Sequence, residues 1–399
     1  MADLSEIMGK LQSAYGDEVG AMGGFWETAE RIPTGIFPLD LAIGGGIPRQ
    51  RVTEVYGPEG SCKTNICINT IRSNQLIRPE EKAVVFDMEG VFDPNWATVM
   101  GVDMSRVAVI RPDYTEQLAD MMEEVVNAKD VGVVVLDSLA HCMATAVGEA
   151  SAEKQFMGND AKAIRRMAVK LNIQMKRMRQ GEVLSNGKKS EREPPAVIWI
   201  NQVTSKVGVI MGNPETTPGG HMPRFLYSLR LRVSGKPVMD EKISKMLPVA
   251  RTISCSVKKF KVPVTCLHSE FDLIMLPHKG FRPGDCDDWN LIEAHAKENG
   301  LLRKGPKDKG WVMGKQTYNT LAEIKKRYVS EPDFMLGLRG AVSQTAMEKT
   351  GFLSEMSAEE AIAADSQPLE EEFDYDKETG EIIEKPVEPK PDKKAKKAA

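Results

Sequence analysis

Leu4, Ile7, Met8, Leu11, Ala14 and Tyr15 recur at helical spacing, so the chain opens with a short amphipathic helix. Gly16, Gly20, Gly23 and Gly24 then break the pattern, and a leash of this kind lets the helix fold back on its own core or dock on another surface. From 31 to 276 strand-like and helix-like segments alternate, which predicts an α/β fold around a mostly parallel sheet. Residues 52–56 read as a strand that ends in a Gly-rich turn, with a helix over 63–75 behind it. The apolar runs 83–86 and 133–136 suit strands buried on both faces, and 196–200 reads as a further strand. A long helix over 158–180 carries Lys162, Arg165, Arg166, Lys170, Lys176, Arg177 and Arg179. The stretch 181–195 holds Asn186-Gly187 and two prolines and reads as a loop longer than most.

Pro and Gly cluster over 277–284 and the alternation weakens, so a smaller α-rich domain is expected from 277 to 364, with helices near 289–299 and 318–328. After 365 an acidic run, 370–376, gives way to a Lys- and Pro-rich end, a composition too poor in apolar surface to fold. The expected division is therefore 1–30 (helix and linker), 31–276 (α/β core), 277–364 (smaller domain) and 365–399 (disordered tail).

Composition changes this picture little. With 41% hydrophobic and 28% charged residues a sizeable core is feasible. A net charge of −4 does not announce a polynucleotide partner, so any such function must rest on local basic surface. The six cysteines form no C-x-x-C pair and no zinc spacing, which fits a reducing interior. The N-terminus lacks the apolar core of a signal peptide, and no run approaches the roughly 18 apolar residues of a membrane span. A soluble cytoplasmic protein is expected.

Candidate chemistry gathers at Gly57-Pro58-Glu59-Gly60-Ser61-Cys62-Lys63-Thr64, which follows a strand and opens a helix, the setting a phosphate-binding P-loop requires. Backbone N–H groups and a helix N-terminus converge there on phosphate; Lys63 adds a point charge and the Thr64 hydroxyl a magnesium ligand. The match is imperfect, because Cys62 stands where the pattern has its second glycine, and by itself it is also compatible with an ordinary glycine-containing turn. Two further strands end in carboxylates: 133–136 at Asp137, placed to orient magnesium, and 83–86 at Asp87, with Glu89 beyond it to activate a water. A P-loop followed by two such strands predicts ATP and Mg2+ as cofactors.

The order and wording of these segments resemble the RecA-type recombinases from about Leu4 to Trp311. Ile32-Pro33-Thr34-Gly35, Gly44-Gly45-Gly46-Ile47-Pro48 and Val55-Tyr56-Gly57-Pro58-Glu59 carry the first part of the likeness. Its most specific part is Ile200-Asn201-Gln202, then Lys206-Val207-Gly208 and Gly212–Gly220, which is similar to that family's second DNA-binding loop. Within the family, the relaxed P-loop, the 181–195 insertion and the divergent C-terminal domain resemble the phage branch, UvsX of T4-like phages.

The resemblance implies a RecA-like P-loop ATPase core and an ATP-dependent recombinase that forms a helical filament on single-stranded DNA and exchanges strands with homologous duplex. It implies catalytic roles for Glu89, Lys63 and Gln202, the last sensing the γ-phosphate, although Gln202 could equally cap a turn at a strand end. Gly57 to Thr64 and Asn65 would hold the phosphates, while Asp93 and Trp96 would hold adenine by a hydrogen bond and an aromatic stack; Trp96 also suits a place in the core at a helix start. Thr64 and Asp137 would bind the metal, and Lys258, Lys259 or Lys261 would reach the neighbouring protomer's ATP. DNA would meet Met157, Gly158, Lys162 and Arg165 at a first loop, and Lys206, Ile210, Met211, Gly212, Gly219 and Gly220 at a second. Partners implied are further copies of the chain, a recombination mediator and a single-strand-binding protein, with no membrane. The acidic run over 370–384 either competes with DNA for the basic loops or solubilises the tail.

Two other readings stand beside this one. A hexameric helicase shares the ATP chemistry but would not be expected to carry the Asn213–Gly220 string. A structural DNA-coating filament with weak nucleotide binding would follow if the Cys62 side chain obstructs the phosphates, although Lys63, Thr64, Glu89 and Asp137 are all present. Cys62 also sits at a helix start beside Lys63, which predicts a thiolate sensitive to alkylation.

Overall fold

The computed structural model describes residues 3–15, 30–148, 158–179, 194–205, 215–220, 222–277, 280–306 and 309–349. The apolar stripe at the start forms α1 (Leu4–Tyr15), with Leu4, Ile7 and Leu11 exposed. Two short strands, β1 (Arg31–Ile32) and β2 (Ile47–Pro48), pair around α2 (Phe37–Ala42). The chain then enters a nine-stranded sheet through β3 (Val52–Gly57), followed by α3 (Lys63–Ile77), β4 (Lys82–Asp87), α4 (Pro94–Val99), β5 (Val107–Ile110), α5 (Thr115–Asn127) and β6 (Val131–Asp137). The short α6 (Thr145–Gly148) and long α7 (Asn159–Arg179) lead to β7 (Ala196–Gln202). A two-residue ribbon, β8 (Thr204–Ser205) against β9 (Glu215–Thr216), precedes α8 (Met222–Leu226). The antiparallel strands β10 (Leu229–Val238), β11 (Ala250–Phe260), β12 (His268–Ile274) and β13 (Cys286–Asp287) complete the sheet.

Its order is β13-β12-β11-β10-β3-β7-β6-β4-β5, parallel from β10 to β5 and antiparallel from β10 to β13. The apolar runs form strands because alternate residues serve opposite faces. Val133, Val135, Ile198 and Ile200 pack with Ile66 and Ile71 of α3 on one face; Val134, Leu136, Val197 and Trp199 pack with Leu118 and Met122 of α5 and Met167 and Leu171 of α7 on the other. Trp199 meets Tyr227 edge-on, ring centroids 5.9 Å apart. Both faces are covered, as a parallel sheet requires, and the strand ends at the phosphate turn are thereby held rigidly.

The chain divides into two compact units, one built on Met1–Asn290 and one on Leu291–Val342. The sheet thus runs past residue 276, since β13 pairs with β12 through Cys286↔Leu273. The second unit combines helices with short strands. With most of α9 (Trp289–Glu298) it carries β14 (Arg303–Lys304), β15 (Trp311–Met313) and β16 (Gln316–Tyr318) as an antiparallel sheet, then α10 (Leu321–Ser330) and the part of α11 (Pro332–Lys349) up to Val342. Strands of two or three residues leave no alternation to read in the sequence. The ammonium groups of Lys297 and Lys304 lie 4.7 and 4.2 Å from the Trp311 ring centroid. Most of the loop over 181–195 and the tail beyond 365 lie outside the described residues. Among the described residues no helix is long and apolar enough to cross a membrane.

Candidate functional site

The phosphate turn runs from β3 to α3 as expected, and its backbone is shaped by two glycines. At Gly57 a Cβ would lie 1.9 Å from the Val233 carbonyl oxygen of β10, so no side chain fits. Gly60 has φ +66°, with the Arg251 guanidinium over it. Cys62 also adopts a left-handed conformation, φ 63°, at the residue before α3. That is the conformation the expected glycine would supply without strain, and in a non-glycine residue it costs roughly 1–2 kcal/mol. Ser61 Oγ donates to the Pro58 carbonyl at 2.7 Å and braces the turn.

Lys63 points back into the turn, its Nζ donating to the carbonyls of Gly57 at 3.1 Å and Pro58 at 2.8 Å. Burial lowers its pKa, and the nearby Asp137, Glu89 and Glu59 carboxylates oppose that shift. Thr64 Oγ1 donates to Asp137 Oδ2 at 2.8 Å, so the helix start and the end of β6 meet. Burial raises the Asp137 pKa; the Thr64 hydrogen bond opposes the shift, and the Glu89 and Asp87 carboxylates add to it. A buried carboxylate among other carboxylates gains from a divalent cation, and a hydroxyl and a carboxylate are the few protein oxygens that magnesium takes when phosphates supply others. The donor set fits Mg2+ held with a nucleotide.

Glu89 is fixed through its backbone. The Asp137 carbonyl accepts from the N–H groups of Met88 at 2.7 Å and Glu89 at 3.3 Å. Asp87, a strand end with no motif role of its own, accepts from Gly90, Val91 and Phe92 N–H and from Arg111 Nε at 3.0 Å, shaping the turn that carries Glu89. Glu89 Oε2 lies 3.5 Å from His141 Nδ1, itself 2.9 Å from Ser138 Oγ.

At the expected adenine side, Asp93 Oδ1 caps α4 by accepting from Asn95 N–H at 2.8 Å and Trp96 N–H at 3.3 Å. Trp96 Nε1 donates to Asn65 Oδ1 at 3.3 Å, and Asn65 Nδ2 reaches Met275 Sδ at 3.8 Å. Trp96 packs partly against the core, so its stacking and packing readings meet in one half-buried ring. Ser61, Cys62, Lys63, Thr64, Arg251 and Met275 are among the residues lining the cleft above the turn, of about 280 Å³. Arg251 and Met275 carry no motif that would have marked them. The structure corrects the expected Cys62 thiolate: burial raises the thiol's pKa, outweighing Arg251 and Lys63.

Gln202 ends β7 directly beside the turn, in register with Gly57, while Asn201 pairs with Tyr56. Asn201 Nδ2 donates to the buried Glu54 Oε1 at 3.0 Å and to the Pro218 carbonyl at 3.2 Å. Glu54 in turn accepts from Arg230 Nε, and Arg230 lies over Tyr56. Adjacent residues of β7 therefore meet the nucleotide turn, through the register of Gln202 with Gly57, and the base of the expected second DNA loop, through the Asn201 bond to Pro218.

Lys162 and Arg165 are exposed on the first turns of α7, after Gly158. Gly219 and Gly220, both at positive φ, follow Pro218. Met157, Lys206, Ile210, Met211 and Gly212 lie outside the described residues. The three lysines of the β11 end part company. Lys258 lines a second cleft with Tyr56, Glu215, Arg224, Arg230 and Arg232, whereas Lys259 donates to the Arg224 carbonyl and Lys261 to the Phe225 carbonyl at 2.8 Å.

A two-faced parallel sheet, a phosphate turn at a helix start and two strand-end carboxylates define a P-loop ATPase. The family model described as the RecA N-terminal domain matches residues 3–280. The chain is similar to Protein RecA of Aquifex pyrophilus (31% identical, 77% of this chain and 80% of the relative). It is also similar to Protein RecA of Synechococcus elongatus (30%, 86% and 87%) and of Thermus aquaticus (40%, 52% and 57%). The chain belongs to the RecA family of DNA-dependent ATPases and strand-exchange recombinases.

Proposed function

We propose that this chain coats single-stranded DNA as a helical filament and uses ATP with Mg2+ for homology search, pairing and strand exchange with duplex DNA. It would serve recombination, DNA repair and recombination-dependent replication. The observation that carries this reading is the register of Gly57 with Gln202, together with the Asn201 bond to Pro218. Two adjacent residues of one strand touch the phosphate turn on one side and the base of a Gly-rich segment on the other. Nucleotide that binds the turn differently as triphosphate and diphosphate can thereby bias that segment.

In this reading Lys63 and the backbone from Gly57 to Thr64 hold the phosphates, with Asn65, Asp93 and Trp96 on the base side. Thr64 and Asp137 hold magnesium, which when bound neutralises charge on the phosphates. Glu89, pinned to the end of β6, orients and deprotonates the attacking water. Gln202 senses the γ-phosphate. DNA phosphates meet Lys162, Arg165 and Lys206; Ile210 or Met211 enters between bases; Met157, Gly158, Gly212, Gly219 and Gly220 line the path. Lys258, Lys259 or Lys261 reaches the neighbouring protomer's nucleotide. The exposed side chains of α1, with Leu4 at 61%, Ile7 at 43% and Leu11 at 40%, support its docking on the next protomer. Cys62 and the 181–195 insertion support a place in the phage branch near UvsX, acting in the host cytoplasm with a mediator and a single-strand-binding protein.

The test is the affinity and cooperativity of oligonucleotide binding with ATP, ADP or no nucleotide, alongside joint-molecule formation between homologous single- and double-stranded DNA. Tighter binding with ATP and ATP-dependent joint molecules are expected. Equal binding in all three conditions overturns the reading.

A further inference from the structure

Arg251 stands at the start of β11, paired with Pro237 of β10 and Leu273 of β12. This placement carries it from the antiparallel side of the sheet onto the phosphate turn. A Cβ built at Gly60 would lie 3.4 Å from its Nη2 and 3.6 Å from its Nη1, so the guanidinium lies against the turn's outer wall. Its Nε is buried and bonds to nothing among the described residues. The arginines of β10 are placed differently: Arg230 meets Glu54, and Arg232 meets Glu215 at 2.8 Å. No ion pair of this kind reaches Arg251 among the described residues. One buried N–H is thus left without an acceptor among the described residues while the rest of the side chain lines the cleft, and the planar fork of a guanidinium matches two phosphate oxygens at once.

We infer that Arg251 is a phosphate ligand of the nucleotide site, supplied by the same protomer as the P-loop and acting as a second fixed cation beside Lys63. The inference rests on the nucleotide-binding reading above and adds a residue that lies outside the P-loop and the carboxylate-ended strands. Cys62 lines the same cleft, and the guanidinium adds attraction for the phosphates there.

The test is calorimetric titration of the full chain and of Arg251→Met, Arg251→Lys and Lys63→Ala with ATP, ADP and adenosine. Methionine keeps an apolar stem over Gly60, and lysine keeps the charge without the fork. Arg251→Met is expected to weaken ATP and ADP binding by about 10- to 100-fold, as loss of a charge-assisted contact does, and to leave adenosine binding unchanged. Arg251→Lys should fall between, and it carries the test if the methionine variant fails a thermal-melt check of folding. Arg251 variants that bind both nucleotides within twofold of the wild type, while Lys63→Ala does not, overturn the inference alone. Equal weakening of adenosine also overturns it, since that marks a general loss of structure. A wild type that binds neither nucleotide overturns the inference together with the reading beneath it.

Discussion

Two clefts flank the end of β3, and the larger is the less suited to a ligand. The cleft beside Tyr56, of about 350 Å³, gathers Arg224, Arg230, Arg232 and Lys258, yet carboxylates of the fold answer Arg230 and Arg232. Glu54 takes Arg230, and Glu215 takes Arg232 through both its oxygens, with Lys258 close by. The cleft above the P-loop, about 280 Å³, offers Lys63 only neutral oxygens as hydrogen-bond acceptors and Arg251 Nε none among the described residues. A cation satisfied by a built-in carboxylate holds structure together. One given only dipoles keeps its attraction for an incoming anion.

The comparison breaks most visibly at Lys63. Lys63→Ala should lower DNA-stimulated ATP turnover by about 100-fold or more, because the lost charge acts on the phosphates themselves. Glu89→Gln should lower turnover comparably while ATP still binds. Turnover within threefold of wild type in Lys63→Ala would show that the P-loop cleft is not the working site. In the second cleft the damage should be to the fold. Glu54→Ala strands the buried Arg230 and removes an acceptor of Asn201, and a loss of about 3–5 kcal/mol should appear in denaturant titration.

A subtler test uses pH. Lys259 has its pKa lowered to about 8, first by burial and then by Lys261 and Arg230. Between that value and the ordinary lysine value the unfolded chain holds a proton that the folded chain has released, so stability should rise with pH across this window. The burdened, charged form is present in full below about pH 8, and Lys259→Met should flatten the profile. The smallest effect is expected at Cys62. Cys62→Gly relieves the left-handed strain but loosens the unfolded chain, leaving a gain of about 1 kcal/mol or less in thermal unfolding. Alkylation of Cys62 at neutral pH should be slower than that of an exposed thiol, since burial disfavours the thiolate.

The nucleotide site was legible in the sequence because its parts are local. A strand, a Gly-rich turn and a helix are consecutive, and Asp137 and Glu89 announce themselves at the ends of apolar runs. What was not legible is whatever pairing brings from afar. Arg251 at the start of a strand looks like any surface arginine, and only the antiparallel register lays it over Gly60. Glu54 and Arg230 carry no motif, yet 176 residues apart they form an ion pair around a fully buried carboxylate. The thiolate expectation for Cys62 failed for a related reason: neighbours in sequence were visible, burial was not. Asp93 shows a limit of another kind, because an aspartate before a proline at a helix start serves as a cap whether or not it also touches a base.

The flush approach of Gly57 to Val233 has a consequence for how this site can drift over generations. A methyl group at position 57 would push on the backbone of β10, and through Val233↔Cys255 on β11, so the sheet itself forbids replacement even in a descendant that no longer used ATP. Position 62 borders open cleft and is policed only by a modest conformational penalty. A lineage can therefore wander at the second place while the first stays frozen by architecture, and the pairing of Gly57 with Cys62 in this chain matches that asymmetry.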